Sequence, residues 1–209
     1  MLLLILFLII AVLLVVFVFN PSAKTKGKRG EKRVIAHAEK HLDEKNYTIL
    51  NNYTFKINEQ LTTQIDHIVV SRFGVFVIET KNYQGWIFGN EHQKMWTQKL
   101  YQKSYQFQNP LHQNYRHIKT LQHLLSDVIE PEDLHSVVVF VGESTFKTAM
   151  PDNVLQGQAW INYVKSFHEE VMSAVKMQRI CHRLEKQALV QSRKTDAEHV
   201  RNLKKYHSK

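Results

Sequence analysis

Residues 64–81 read QIDHIVVSRFGVFVIETK, and the pattern of this segment is the strongest indication of the fold. The apolar, β-branched segments 65–70 and 75–78 each predict a strand. Between them, residues 71–74 place Ser at the first position and Gly at the fourth, as a type I turn prefers. The stretch therefore predicts an antiparallel hairpin.

Three charged side chains lie near one end of this hairpin. Glu79 and Lys81 are two residues apart, so strand alternation puts them on one face. If the turn is symmetric, Ser71 pairs with Gly74 and Asp66 lies opposite Glu79. Like charges that face each other across two strands are destabilising, so this arrangement predicts a cation between the carboxylates.

The residue types at this end of the hairpin indicate a reaction as well as a ligand. Mg²⁺, or Mn²⁺ in its place, takes a few hard oxygen ligands and completes its shell with water and phosphate. Lys81 on the same face could orient the attacking water and neutralise charge on a phosphate. Together these residues suggest metal-assisted hydrolysis of a phosphodiester.

A different register leads to a different interpretation. A bulge of one residue at Gly74 would turn Asp66 away from Glu79. Glu79 and Lys81 would then form an ion pair at a strand edge, with Asp66 solvated nearby. Spacing alone leaves both possibilities open.

The rest of the chain predicts an α/β fold with a mixed central β-sheet flanked by helices. Asn109-Pro110 is a favourable helix start, and residues 136–141 form an apolar run suited to a strand buried on both faces. The other predicted elements are a helix over 31–45, a strand over 47–55, a short hairpin of 86–88 with 95–100, a helix over 110–126, and two helices within 160–190 that break near Met172 and Ser173.

Residues 1–20 predict a transmembrane anchor. Residues 2–19 are apolar and would extend about 27 Å as a helix, close to the hydrocarbon thickness of a bilayer. Six Lys and Arg residues follow between Lys24 and Arg33, so the positive-inside rule predicts a single-pass protein with its remaining residues in the cytoplasm. The alternative is a cleaved signal peptide, because small residues follow Pro21.

The domain organisation follows from these patterns. After the anchor we expect a basic linker over 21–30, a folded domain over 31–142, a helical extension over 143–190 and a charged tail over 191–209. The chain carries 28 Lys and Arg against 19 Asp and Glu, a formal charge of +9, so nucleic acid or anionic lipid is a plausible partner.

Several ordered motifs resemble those of the nuclease-related domain (NERD) family, which is itself similar to the PD-(D/E)xK nucleases. The resemblance covers about residues 27–140. The motifs are GKRGE at 27–31, QIDH at 64–67, GVFVIETKN at 74–82, GW at 85–86 and QNPLHQ at 108–113.

The resemblance implies a restriction-endonuclease-like fold and an Mg²⁺- or Mn²⁺-dependent nuclease that acts on nucleic acid, with DNA favoured. Combined with the predicted anchor, this gives a membrane-anchored nuclease. The resemblance also implies that Asp66 and Glu79 are metal ligands, Lys81 is the catalytic lysine and Glu31 is an accessory acid. Gln108 and Gln113 match a later glutamine motif.

Simpler interpretations accompany these assignments. Glu31 in a first helical turn is favoured by the helix dipole alone, and the two glutamines could flank the helix that begins after Asn109. The chain could also be a non-catalytic, membrane-tethered module that binds nucleic acid or a partner, or residues 24–33 could contact anionic lipid headgroups.

Overall fold

A computed structural model describes residue 7 and residues 22–190 of the chain. This part folds into two mixed β-sheets flanked by helices. The helices are α1 (Ala23–His41), α2 (Pro110–Leu125), α3 (Ala159–Lys165) and α4 (Ala174–Gln187), with a 3₁₀ turn over Pro131–Asp133. The strands are β1 (Tyr47–Lys56), β2 (Thr62–Ser71), β3 (Gly74–Lys81), β4 (Gly85–Phe88), β5 (Met95–Leu100), β6 (Lys103–Gln108), β7 (Leu134–Phe140), β8 (Ser144–Phe146) and β9 (Val154–Gln156).

The larger sheet has the strand order β1-β2-β3-β7-β9. β1, β2 and β3 are antiparallel, and Ser71 pairs with Gly74 across the tight turn, so the predicted hairpin and its register are confirmed. β7 and β9 join in parallel, with Thr80 beside Val139. The predicted strand over 136–141 is therefore confirmed as a member of this sheet.

Helices cover both faces of the larger sheet, which explains why its central strands are continuously apolar. α2 and α4 pack on the face that carries Val75 and Val77. α1 and α3 pack on the opposite face, against Phe76 and Ile78. With two buried faces, β3 has six buried residues in succession before it reaches its half-buried end.

The smaller sheet has the order β6-β5-β4-β8 and packs against β7 through Ile87, Trp96 and Phe140. The predicted hairpin of 86–88 with 95–100 is confirmed as β4 with β5. Three strands, β6, β8 and β9, were not predicted from the sequence. β8 and β9 have three residues each, too few for strand alternation to become visible.

The helix predicted over 31–45 is α1, which begins eight residues earlier and ends four residues earlier than predicted. Residues 23–30, predicted as a linker, are helical and Ser22 caps them by accepting a hydrogen bond from the Thr25 amide at 3.2 Å. Gly30 does not end the helix because it is a packing residue. A Cβ added there would lie 2.8 Å from the Asn82 Cβ, so only glycine allows α1 to approach β3 this closely.

The segment predicted as a helical extension, 143–190, also supplies β8 and β9 to the two sheets. α3 ends at Lys165 rather than near Met172, and residues 166–173 connect it to α4. Phe167 packs against Phe76 and His135 from this connection, so its helical spacing reflected burial rather than a continuous helix.

Among the helices within residues 22–190, none combines the length and the apolar character needed to cross a membrane. Apart from residue 7, the predicted anchor over 1–20 lies outside the described residues, and so does the predicted charged tail over 191–209.

Candidate functional site

The β2–β3 hairpin brings Asp66 beside the end of β3. The ladder runs as far as His67 opposite Ile78, which makes Asp66 and Glu79 the next residues in register. Beyond that pair, the Thr80 amide donates to Asp66 Oδ2 at 2.9 Å. The Asp66 carboxylate thus accepts the hydrogen bond that a backbone carbonyl of β2 would accept in a regular ladder. The two strands separate around the carboxylates.

At this same point, β1 and β2 interrupt the regular alternation of side chains between the two faces of the sheet. Ile65 and Ile68 are three residues apart yet lie in one core cluster, although strict alternation would put them on opposite faces. Asn52, opposite Asp66 in the β1–β2 register, has φ of 60°, in the left-handed region that Asn tolerates better than most residues. The backbone is therefore locally distorted where Asp66 leaves the ladder, as it often is at functional sites.

Glu79 is the most enclosed charged group of the site, with 2% of its surface exposed. Its Oε1 lies 2.6 Å from Lys81 Nζ and its Oε2 lies 3.2 Å from His117 Nε2. Burial alone would raise the pKa of this carboxyl, but Lys81 and His117 together outweigh burial and lower it to about 2. Glu79 is therefore ionised at neutral pH.

Lys81 is held by two acceptors. Besides Glu79, its ammonium group donates to Gln113 Oε1 on α2 at 3.0 Å. Burial by itself would lower the pKa of Lys81, but the adjacent Glu79 carboxylate reverses this effect and the net shift is upward. The lysine is therefore a fixed cation, suited to stabilising an anion rather than to accepting a proton.

Asp66 has the opposite protonation tendency from Glu79. Burial, followed by repulsion from Glu79, raises the pKa of Asp66 well above its ordinary value of 3.8, although the Thr80 amide and Lys81 oppose that shift. Two adjacent carboxyls with pKa values moved in opposite directions are characteristic of sites that perform acid–base or metal chemistry.

Asp66, Glu79 and Lys81 form a charged trio, and the other predicted site residues lie at different distances from it. Glu31 on α1 is half-buried, and burial raises its pKa while Asn52 and Lys28 oppose the shift. Its charge also raises the pKa of Asp66, so the two lie within electrostatic range. Gln113 contacts Lys81 directly, whereas Gln108 lies farther out, in the wall of a neighbouring cavity.

His117 also belongs to the site, although it was not predicted from the sequence. This histidine is 4% exposed, and its Nδ1 lies 2.7 Å from Thr63 Oγ1 while its Nε2 faces Glu79. It follows Gln113 by four residues on α2, the spacing that aligns two side chains on one helix face. That spacing relative to a recognised glutamine was the available signal.

A His117→Ala variant should be destabilised by about 1–3 kcal/mol, because Glu79 and Thr63 would each lose a buried hydrogen-bond partner. Chemical denaturation followed by circular dichroism measures the change. Thr63→Val is the matched variant, since it removes the outer hydrogen bond and leaves the contact with Glu79. An equal loss in both variants would contradict a special role for the Glu79 contact.

The carboxylates of the site are chemically suited to binding a hard divalent cation. Asp66 and Glu79 supply carboxylate oxygens, and an ionised carboxylate has about four lone-pair sites, so the two contacts of Glu79 leave acceptor capacity. Burial and then repulsion from Glu79 raise the pKa of Asp66, and a bound cation would offset both by favouring the ionised carboxylate. Within residues 22–190, however, no group of three or more His, Cys, Asp or Glu side chains is arranged to hold a metal. A metal here would complete its shell with water and substrate oxygens.

Comparisons with known proteins point to one family. The family described as nuclease-related domain (NERD) matches residues 26–141. An uncharacterized protein of Bacillus anthracis is 53% identical over 102 residues, which are 49% of this chain and 48% of that protein. The chain thus spans about half the length of the curated relative it matches. No solved structure matches the chain.

Proposed function

Because the chain belongs to the nuclease-related domain family, we propose that it is a metal-dependent nuclease that hydrolyses phosphodiester bonds of nucleic acid. The observation that carries this proposal is the meeting of Asp66, Glu79 and Lys81 where β2 and β3 separate. An antiparallel β1–β2–β3 unit followed by the parallel β7 also supports the resemblance to the PD-(D/E)xK fold.

Asp66 and Glu79 would hold Mg²⁺ or Mn²⁺, which when bound lowers the pKa of a water molecule and polarises the phosphate. Lys81 would stabilise the negative charge that develops on the phosphate oxygens, since its raised pKa keeps it protonated. Gln113 fixes the position of the ammonium group, so that no reorganisation is needed during the reaction.

Glu31 would act from the side of α1. Its raised pKa, together with its electrostatic effect on Asp66, suits an accessory acid that can carry or release a proton near the metal ligands. The half-buried position of Glu31 leaves it accessible to solvent.

We also propose a cellular location for the protein. Residues 2–19 are uninterruptedly apolar and a basic segment follows directly, which supports a single-pass anchor with the folded part on the cytoplasmic side. A nuclease with this orientation would meet nucleic acid at the inner face of a membrane.

One observation favours a second candidate function. Both carboxylate oxygens of Glu79 already contact protein cations or donors, namely Lys81 and His117, as in a structural ion pair. A chain that keeps this network without turnover would be a membrane-tethered nucleic-acid-binding module. Binding that is salt-dependent, needs no metal and survives Asp66→Ala would identify it.

Cleavage assays on the full chain, purified in a mild detergent, test the nuclease proposal. We expect labelled DNA or RNA to be cut with Mg²⁺ or Mn²⁺ and to remain intact with EDTA. Lys81→Met should reduce the rate about a hundredfold, because one preorganised charge at the phosphate is removed. Lys103→Met, which replaces an exposed lysine of β6, is the control.

The result that would overturn the nuclease proposal is equally specific. A folded wild-type chain that cuts neither DNA nor RNA with either metal would exclude turnover of these substrates. Cleavage of equal rate in wild type and Lys81→Met would trace the activity to a contaminant or to another site.

A further inference from the structure

A half-open cavity of about 590 Å³ lies beside the candidate site. The end of β1, the start of β2 and two residues of the loop between them, Ile57 and Leu61, form one wall, and α2 forms the other. The lining residues that matter here are Lys56, Ile57, Gln64, Arg116, Lys119 and His123.

The cavity is basic on its rim and apolar in part of its wall. Lys56, Arg116 and Lys119 contribute three positive charges, and no acidic side chain lines it among the described residues. Ile57 and Leu61 add apolar surface, and Ile57 is 46% exposed although it is a large aliphatic residue. Grooves that bind single strands combine cations along the phosphate chain with flat side chains on which bases stack. In this cavity the imidazole of His123 is the side chain suited to stacking, beside the aliphatic surface of Ile57 and Leu61.

Two residues connect the cavity to the charged trio. Gln113 and His117 line the cavity, and they contact Lys81 and Glu79 respectively. The trio itself does not line the cavity. A ligand in the cavity would therefore lie one side-chain layer away from Glu79, in the position of a segment that flanks the reacting phosphate.

We propose that this cavity binds an unpaired segment of single-stranded nucleic acid next to the phosphate that is cleaved. The inference rests on the proposed nuclease function and adds the substrate form. The cavity lies within the range of about 300–1,000 Å³ that encloses one small ligand. A duplex, whose major groove alone is about 12 Å wide, does not fit inside it.

The test measures binding by fluorescence anisotropy with the full chain in EDTA. The probes are a labelled DNA single strand of about ten nucleotides, the RNA of the same sequence, and the corresponding blunt DNA duplex. We expect either single strand to bind at least about tenfold more tightly than the duplex. The variant Lys56→Gln/Lys119→Gln removes two exposed cavity cations and should weaken single-strand binding about tenfold near physiological salt.

A matched control separates the cavity from the general charge of the protein. Lys40→Gln/Lys45→Gln removes the same charge from two exposed residues outside the cavity and should change the affinity less than twofold. The salt dependence provides a second measurement. Each lost phosphate contact lowers the slope of log K against log salt by about 0.7 for single strands, so the cavity variant should lose about 1.4.

The outcomes distinguish this inference from the proposed function. Wild-type cleavage combined with unchanged single-strand binding by the cavity variant would overturn the inference and leave the nuclease proposal intact. Loss of binding in the cavity variant, without cleavage by the wild type, would support the inference and reject catalysis. Equal affinity for duplex and single strands would also overturn it.

Discussion

An Asp66→Asn variant should lose cleavage by about a thousandfold or more, and it should unfold at a higher temperature than the wild type. Cleavage falls because an amide is a poor ligand for Mg²⁺, and the metal contributes several kcal/mol to transition-state stabilisation. Rates with saturating Mg²⁺ and Mn²⁺ measure this loss. The rise in stability has a separate cause in the electrostatics of the folded protein.

The pKa of Asp66 determines the sign of that stability change. Burial and the Glu79 charge raise this pKa above 3.8, so the folded state binds a proton more tightly than the unfolded state. Stability then decreases as pH rises from about 3.8 through the raised pKa. At neutral pH the Asp66 carboxyl therefore lowers the free energy of unfolding. Asparagine carries no charge and removes this destabilisation, while its Oδ1 can still accept from the Thr80 amide.

Asp133→Asn is the matched control for Asp66→Asn. The pKa of Asp133 is also raised, first by burial, but the residue lies in the 3₁₀ turn before β7, away from Lys81. This variant should cleave at the wild-type rate. A metal titration adds an independent readout, because Mg²⁺ or Mn²⁺ should raise the unfolding temperature of the wild type more than that of Asp66→Asn. A lower unfolding temperature for Asp66→Asn would contradict the pKa argument.

The hairpin was predictable because its determinants are local. A turn of four residues favours one pairing and continuous apolar runs specify two buried strands, so residues 64–81 predicted the register that places Asp66 opposite Glu79. The alternative with a bulge at Gly74 was excluded only by the ladder of the folded hairpin. The start of α2 was predictable for a similar reason. Asn109 caps it by accepting from the Leu111 amide at 2.9 Å, and Pro110 occupies the first turn.

The parts that sequence reasoning missed depend on distant contacts. Gly27 and Gly30 favoured a basic linker, yet α1 continues through them. Asn82 donates to the Lys26 carbonyl at 2.7 Å, and Gly30 packs against β3. β9 pairs with β7 and β8 pairs with β4, and no local pattern specifies such parallel partners. His117 belongs to the same class, because its importance arises from Glu79, 38 residues earlier.

Strict strand alternation also does not predict the interruption of the alternation at Asp66. Strand periodicity placed Asp66 and Glu79 on one face but gave no sign that β1 and β2 would shift between Ile65 and Ile68. The left-handed Asn52 makes that shift possible, and the side chain of Asp66 then replaces a backbone acceptor for Thr80. The site is therefore built on an interruption of the sheet.

Glu79→Gln should destabilise the protein by about 3–5 kcal/mol at neutral pH, opposite in sign to Asp66→Asn. The substitution leaves the buried Lys81 ammonium without its counter-ion and weakens the contact with His117. Chemical denaturation at pH 7 measures the loss. Glu143→Gln, at an exposed position, should change the free energy of unfolding by less than about 0.5 kcal/mol.

The pH dependence of this effect follows from the lowered pKa of Glu79. Its stabilisation is fully present above the ordinary value of 4.5 and is lost as pH falls toward about 2, so the difference between wild type and Glu79→Gln should shrink over that range. The double variant Glu79→Gln/Lys81→Met should be more stable than Glu79→Gln, because it removes the unpaired cation. A double variant that is less stable than Glu79→Gln would refute the ion pair as the cause. The expected results would show that the two neighbouring carboxyls differ in their electrostatic effect. Glu79 stabilises the fold through its charge, whereas the charge of Asp66 destabilises the fold and would be favoured by a bound metal.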